Sequence, residues 1–110
     1  MSQRLQLLQQ ILEKTPGDTF ALFAIAKEHE GLGDLPQALA FYLQLREADP
    51  NYVGLYYHLG KLYEKLNQAD RAISSYRAGM QVAKNLGDQH AYSELYAANF
   101  ELDDSDDDDV

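Results

Sequence analysis

Cysteine is absent from the 110 residues, which excludes a disulfide framework, a thiolate metal site and a thiol nucleophile. Long apolar runs are absent too, so no segment reads as a bilayer span. The opening MSQRLQLLQQ lacks the apolar core and small-residue cleavage site of a secretory signal, and a soluble, cytoplasmic domain is expected. Bases are scarce: nine Lys and Arg stand against eighteen Asp and Glu, a net charge of −9. Nucleic-acid binding is therefore not expected, because counterion release requires bases facing phosphate. Catalytic signatures are missing as well. His29, His58 and His90 show no metal-ligand spacing, and neither HExxH nor a Gly-rich phosphate loop occurs. Ser74, Ser75 and Ser93 have no Gly-x-Ser-x-Gly context, and Glu28 and Glu30 project to different sides of a helix. The expectation is a protein that is not an enzyme and carries no cofactor or metal.

What is present is a foldable chain with a charged end. Hydrophobic residues make up 45% of it and charged residues 25%, the balance of a folded domain rather than a disordered one. Its length is one domain's worth. The charge is unevenly placed. Residues 1–100 hold nine bases and eleven acids, whereas ELDDSDDDDV at 101–110 holds seven acids and no base. Four successive Asp side chains repel one another, so 101–110 reads as a disordered acidic tail. Three roles are open to it: a solubilising terminus, weak divalent-cation binding without the Gly and distal Glu of a calcium loop, or a ligand mimic visiting Lys27 and Lys61.

A shift of 34 residues lays 19–50 onto 53–84 with five identities: Lys27/Lys61, Glu30/Glu64, Leu32/Leu66, Ala38/Ala72 and Tyr42/Tyr76. Chance gives about two. Class matches strengthen the pattern: Leu22/Tyr56, Ile25/Leu59, Ala26/Gly60, His29/Tyr63, Gly33/Asn67 and Leu39/Ile73. Leu22, Ile25, Ala26, His29 and Leu32 keep the rhythm of one buried helical stripe, and Tyr56, Leu59, Gly60, Tyr63 and Leu66 repeat it. Gly33 and Asn67 stand where a left-handed helix stop is wanted. Asp34 then caps a second helix with Pro36 in its first turn and Gln37 three residues on. That helix ends near Asp49-Pro50. Ala26 and Gly60, facing Ala38 and Ala72, would let the paired helices approach closely. Each unit is predicted to be a helical hairpin.

These residues resemble the tetratricopeptide repeat family over 19–86. The sites that carry the resemblance are Leu22, Ile25-Ala26, His29, Ala38, Tyr42, Leu45 and Pro50, then Tyr56, Leu59-Gly60, Tyr63, Ala72, Tyr76 and Gly79. The departures are His29 for an aromatic, Leu45 for a small residue, and Lys84 for the closing proline. Lys84 implies a helix running on to about Leu86, stopped by Gly87-Asp88. The resemblance implies an all-α, right-handed α-solenoid of antiparallel helix hairpins with about six helices. Residues 1–16 read as an N-terminal helix (Leu5, Leu8, Ile11 and Leu12 inward), 19–52 as repeat one and 53–86 as repeat two. Residues 88–100 read as a capping helix burying Tyr92, Leu95, Tyr96 and Asn99, so that 1–100 is the repeat domain.

In the resembled family the first helix of each hairpin lines a groove for peptides or partner helices. The residues here that face away from the buried stripe are Phe20, Phe23, Lys27 and Glu30, then Tyr57, His58, Lys61 and Glu64. Phe23 and Tyr57 are expected as apolar anchors, with the lysines and glutamates setting selectivity. Alternatively, Phe20 and Phe23 pack against the N-terminal helix. Some family members clamp a ligand's terminal carboxylate with lysines and asparagines. Only Lys27 and Lys61 fit that pattern, so no such clamp is expected. The expected function is a non-catalytic adaptor for a partner protein or peptide. The alternative is homo-oligomerisation through the apolar edges of incomplete terminal repeats.

Overall fold

Residues 2–103 are described by the structure, a computed structural model, and they form six α-helices and no strand. Caps decide where most of them begin. Ser2, Asp18, Asp34 and Asp88 each accept a hydrogen bond from the backbone N–H three residues on, at 2.9–3.3 Å. Each thereby satisfies an amide that has no partner within the helix. They open α1 (Gln3–Lys14), α2 (Thr19–Gly31), α3 (Leu35–Ala48) and α6 (Gln89–Leu102). The other two, α4 (Gly54–Lys65) and α5 (Ala69–Leu86), start without a side-chain cap bond.

Three stops share one geometry. Gly33, Asn67 and Gly87 take φ of 80°, 61° and 72°, and the next amide in each case reaches back to a carbonyl five residues earlier. Asparagine tolerates this left-handed turn better than most residues with a Cβ, which explains Asn67 where the preceding unit has glycine. The helix α5 runs past Lys84 to Leu86, as the missing proline implied.

Contacts gather into two compact units divided between Tyr52 and Val53. In the first, α2 and α3 form a hairpin and α1 packs on α2. Leu5 and Leu8 of α1 meet Ala24 and Ile25 of α2, with Leu12 and Phe41 packed against that cluster. Leu22, Ile25, Ala26, Ala38, Tyr42 and Leu45 are buried. Leu45 is therefore accommodated where the second unit has Gly79, and the first unit has Leu22 where the second has Tyr56. Two medium residues replace a large and a small one, a swap that conserves volume. Two expectations fail here. Leu32 is 62% exposed, because the chain leaves the helical stripe at this C-cap to turn at Gly33. Ile11 is also exposed, because it lies off the Leu5–Leu8 face that α1 buries against α2.

In the second unit α4 and α5 form the hairpin, and α6 packs on both. Gly60 lies against the ring of Tyr76: a Cβ there would come within 2.2–2.6 Å of three ring atoms. The neighbour that requires a small residue is thus that ring. Gly79 is equally confined, with Tyr56 Cβ at 2.5 Å and Leu95 methyl groups at 3.0 and 3.1 Å from a built Cβ. The last helix is turned differently from expectation. Leu95, Ala98 and Asn99 are buried, Tyr92 is half-buried, and Tyr96 is exposed. Asn99 Oδ1 is buried with no hydrogen-bond partner among the described residues.

The tail also needs correction. Glu101 and Leu102 belong to α6, and Asp103 is buried in an ion pair with Arg77 of α5. An acid with a cation facing it is held, so the expected disorder does not begin at 101. Residues 104–110, the rest of the predicted tail, lie outside the described residues.

Gly60→Ala should lower stability by about 1–3 kcal/mol through overpacking against Tyr76. Gly31→Ala, in open space at the end of α2, should raise it by about 0.4–1 kcal/mol by restricting the unfolded chain. Urea unfolding of both variants checks the contrast. Equal effects would mean that the confinement of Gly60 carries no energy.

Candidate functional site

The strongest polar feature of each hairpin recurs at the 34-residue period. Tyr42 Oη donates to Glu30 Oε1 at 2.6 Å, and Tyr76 Oη donates to Glu64 Oε2. Both tyrosines are fully buried and both glutamates are half-buried. A phenol removed from water needs an acceptor, and a carboxylate is a strong one. Glu30 and Glu64, expected to select ligands, are thus engaged inside their own hairpins. Burial first, then the hydrogen bond to the glutamate, raises the pKa of each phenol well above its ordinary value of 10.0.

On α2 the outward residues divide. Phe20 is 61% exposed, and Lys27 is exposed. Phe23 is half-buried on an aromatic shelf, its ring centroid 6.2 Å from that of Tyr42 and 5.5 Å from that of Tyr52. These contacts involve α3 and the residues after it, whereas Ala24 and Ile25 of α2 pack with Leu5 and Leu8 of α1. His29, expected in the core, is half-buried and stacked on Phe41 at 5.6 Å.

On α4 the outward residues form one constellation. Tyr57 is half-buried, 6.4 Å from Tyr76 and 5.9 Å from His58 between ring centroids. Lys61 Nζ lies 5.5 Å from the Tyr57 centroid and 3.7 Å from Glu64 Oε2. Across from them, α6 contributes Glu94, Ala97, Ala98 and Glu101, and together with Tyr57 and Lys61 they line an open groove of about 210 Å³. Its floor is aromatic and small-apolar; one wall carries an ammonium group and the other two carboxylates. Sequence reasoning found Tyr57 and Lys61 but missed the α6 side. The signal existed: laid on α4 so that Leu95 falls on Leu59, Glu94 and Ala97 occupy the places of His58 and Lys61, both read as outward. A wider hollow of about 440 Å³ at the α5–α6 turn is lined by Lys84, Gly87, Asp88, Gln89 and Tyr92, among others, and arises from the chain reversal.

Among the described residues no group of three His, Asp or Glu is placed to hold a metal ion. His90 is exposed, with Nε2 3.2 Å from Glu94 Oε1 one turn along α6. No helix among the described residues is long and apolar enough to cross a membrane.

Comparison with known proteins bears on this arrangement. The family model for the tetratricopeptide repeat matches residues 53–86. The solution structure of a tetratricopeptide repeat domain protein from Salinibacter ruber is 44% identical, with a TM-score of 0.77 over 82% of this chain and 91% of that one. This chain belongs to the tetratricopeptide repeat family. Its all-α helical-repeat fold is shared with PcrH, solved in complex with the chaperone binding region of PopD (TM-score 0.82, 17% identity, 89% of this chain and 74% of that one). It is shared as well with the TPR2B domain of yeast Sti1, solved as a pHsp70 complex (TM-score 0.82, 16% identity, 89% and 78%). No curated protein matches the chain significantly. Within the tetratricopeptide pattern, Ala26 and Gly60 are the small residues of the first helices, and Tyr42 and Tyr76 the aromatics of the second.

The tyrosine–glutamate bridges have a pH signature. A phenol that keeps its proton in the fold, while the unfolded chain loses it, makes stability fall as pH rises above about 10, by up to about 1.4 kcal/mol per pH unit for each tyrosine. Tyr42→Phe with Tyr76→Phe should lower stability at neutral pH by about 1–3 kcal/mol per lost bond. The double variant should then lose less than wild type between about pH 10 and about pH 11. Urea midpoints across that range decide it; parallel profiles would show that the bridges do not hold the protons.

Proposed function

We propose that the chain is a non-catalytic protein-interaction module that seats an extended peptide or a helix of a partner protein between α4 and α6. The observation that carries this reading is the groove itself. Tyr57 offers an aromatic anchor, the alanines leave room for a ligand's side chains, and Lys61 faces Glu94 and Glu101 across the opening. An apolar centre with a charged border is the layout in which a few buried contacts supply affinity and the rim sets register. Membership in the tetratricopeptide repeat family supports the reading, as do the peptide and protein complexes formed by PcrH and Sti1 on the same fold.

The charges narrow the ligand. Two carboxylates on one wall favour a segment with Lys or Arg on that side, and Lys61 favours an acid on the other. Lys61 is already shared between Glu64 and the Tyr57 ring, which disfavours a clamp for a terminal carboxylate. On α2, exposed Phe20 and Lys27 beside Phe23 form a second, separate apolar surface with a charged neighbour.

Ala97 is exposed, so Ala97→Arg should block the groove without disturbing the core. Peptides selected on the wild-type protein from a random library should bind it with Tyr57-dependent affinity. Tyr57→Ala should weaken them about thirtyfold, the scale of a hot-spot loss, and Ala97→Arg should abolish binding while circular dichroism stays unchanged. Peptides that bind all three proteins equally would show that the groove is not the site.

A further inference from the structure

The helices at the two ends of the chain are out of phase with the hairpins, and each leaves one face uncovered. Laid on α3 at the 34-residue period, α1 places Leu7 on Phe41 and Ile11 on Leu45, with Pro16 on Pro50. In α3, Phe41 stacks on His29 of α2 and Leu45 is fully buried. In α1, Leu7 is 61% and Ile11 38% exposed. Thus α1 has the pattern of a second helix, and among the described residues no first helix covers its Leu7–Ile11 face.

The opposite holds for α6. Aligned on α4 by its buried residues, with Leu95 on Leu59 and Asn99 on Tyr63, it places Tyr96 on Gly60 and Phe100 on Glu64. Those are the two positions that Tyr76 of the second helix touches, one with its ring and one with its hydroxyl. On α6 that face is open: Tyr96 is 51% and Phe100 59% exposed, stacked at 6.2 Å along the helix. Thus α6 has the pattern of a first helix, and among the described residues no second helix covers its Tyr96–Phe100 face.

We propose that a second copy of this chain covers these faces, its α1 packing on the Tyr96–Phe100 face of α6 in a head-to-tail contact. Two observations favour a second copy over an unrelated partner. The uncovered face of α6 is that of a first helix and the uncovered face of α1 that of a second helix, the two faces that meet within each hairpin. Sizes are inverted in a matching way: the hairpins set a small residue on the first helix against tyrosine on the second, whereas the ends carry Tyr96 on the first-type helix and aliphatic Leu7 and Ile11 on the second-type one. Such a contact is heterologous, so each copy keeps one donor and one acceptor face.

Mixing two full-length variants tests this. Leu7→Ser with Ile11→Ser disables the α1 face, and Tyr96→Ser with Phe100→Ser disables the α6 face; all four side chains are exposed, and circular dichroism verifies folding. Wild type should gain mass in light scattering over about a hundredfold rise in concentration, and each variant alone should stay monomeric. Their equimolar mixture should stop at twice the chain's mass, because one intact α6 face meets one intact α1 face and growth ends there. A wild type that stays monomeric throughout would overturn the proposal. So would a mixture that remains monomeric, which would assign any wild-type association to a like-with-like contact. Because no substituted residue lines the α4–α6 groove, peptide binding there is read independently of this outcome.

Discussion

Placing a phenol inside a helical hairpin sets two demands at once: room for the ring and an acceptor for the hydroxyl. In the second unit Gly60 meets the first and Glu64 the second, both on α4, one turn apart. The helix spacing cannot widen without losing the hydrogen bond, nor close without driving the ring into the backbone. That two-sided limit positions α5, and α6 then packs on the pair. It also holds the Tyr76 ring beneath Tyr57, and so fixes the floor of the groove. The first unit repeats the bond with Tyr42 and Glu30.

Much of this was legible because the signals are local. Apolar stripes, the Asp34 cap, and the stops at Gly33, Asn67 and Gly87 each act within one turn of helix, so spacing alone reveals them. Glu30 and Glu64 were visible as repeated residues but not as acceptors, because their partners lie twelve residues away on another helix. Asp103 shows the same limit. Within a run of acids it looks like one more solvated charge, and only the packing of α6 on α5 brings it to Arg77.

The last helix shows where pattern reading misleads. Tyr92, Tyr96 and Phe100 stand four residues apart and imitate a buried stripe, yet they stack along an open face. The residues that pack inward are Leu95, Ala98 and Asn99, and alanine and asparagine carry little signal. A helix with neighbours on one side only has two apolar faces in its sequence and one in its core. The α4–α6 groove was half-seen for the same reason, its second wall being read for the face it buries and not for the face it turns outward.

The short span of the tyrosine–glutamate bridges bears on how the chain folds. Each closes a loop of twelve residues, and the entropy lost in closing a loop rises only with the logarithm of its length, so such a closure is among the least costly tertiary steps open to a chain. Folds dominated by local closures cross their barriers quickly, because little conformational freedom must be lost before contacts reward it. A hairpin emerging from the ribosome has its whole bridge, carboxylate and phenol, as soon as its second helix is out. Neither has to wait for the rest of the chain.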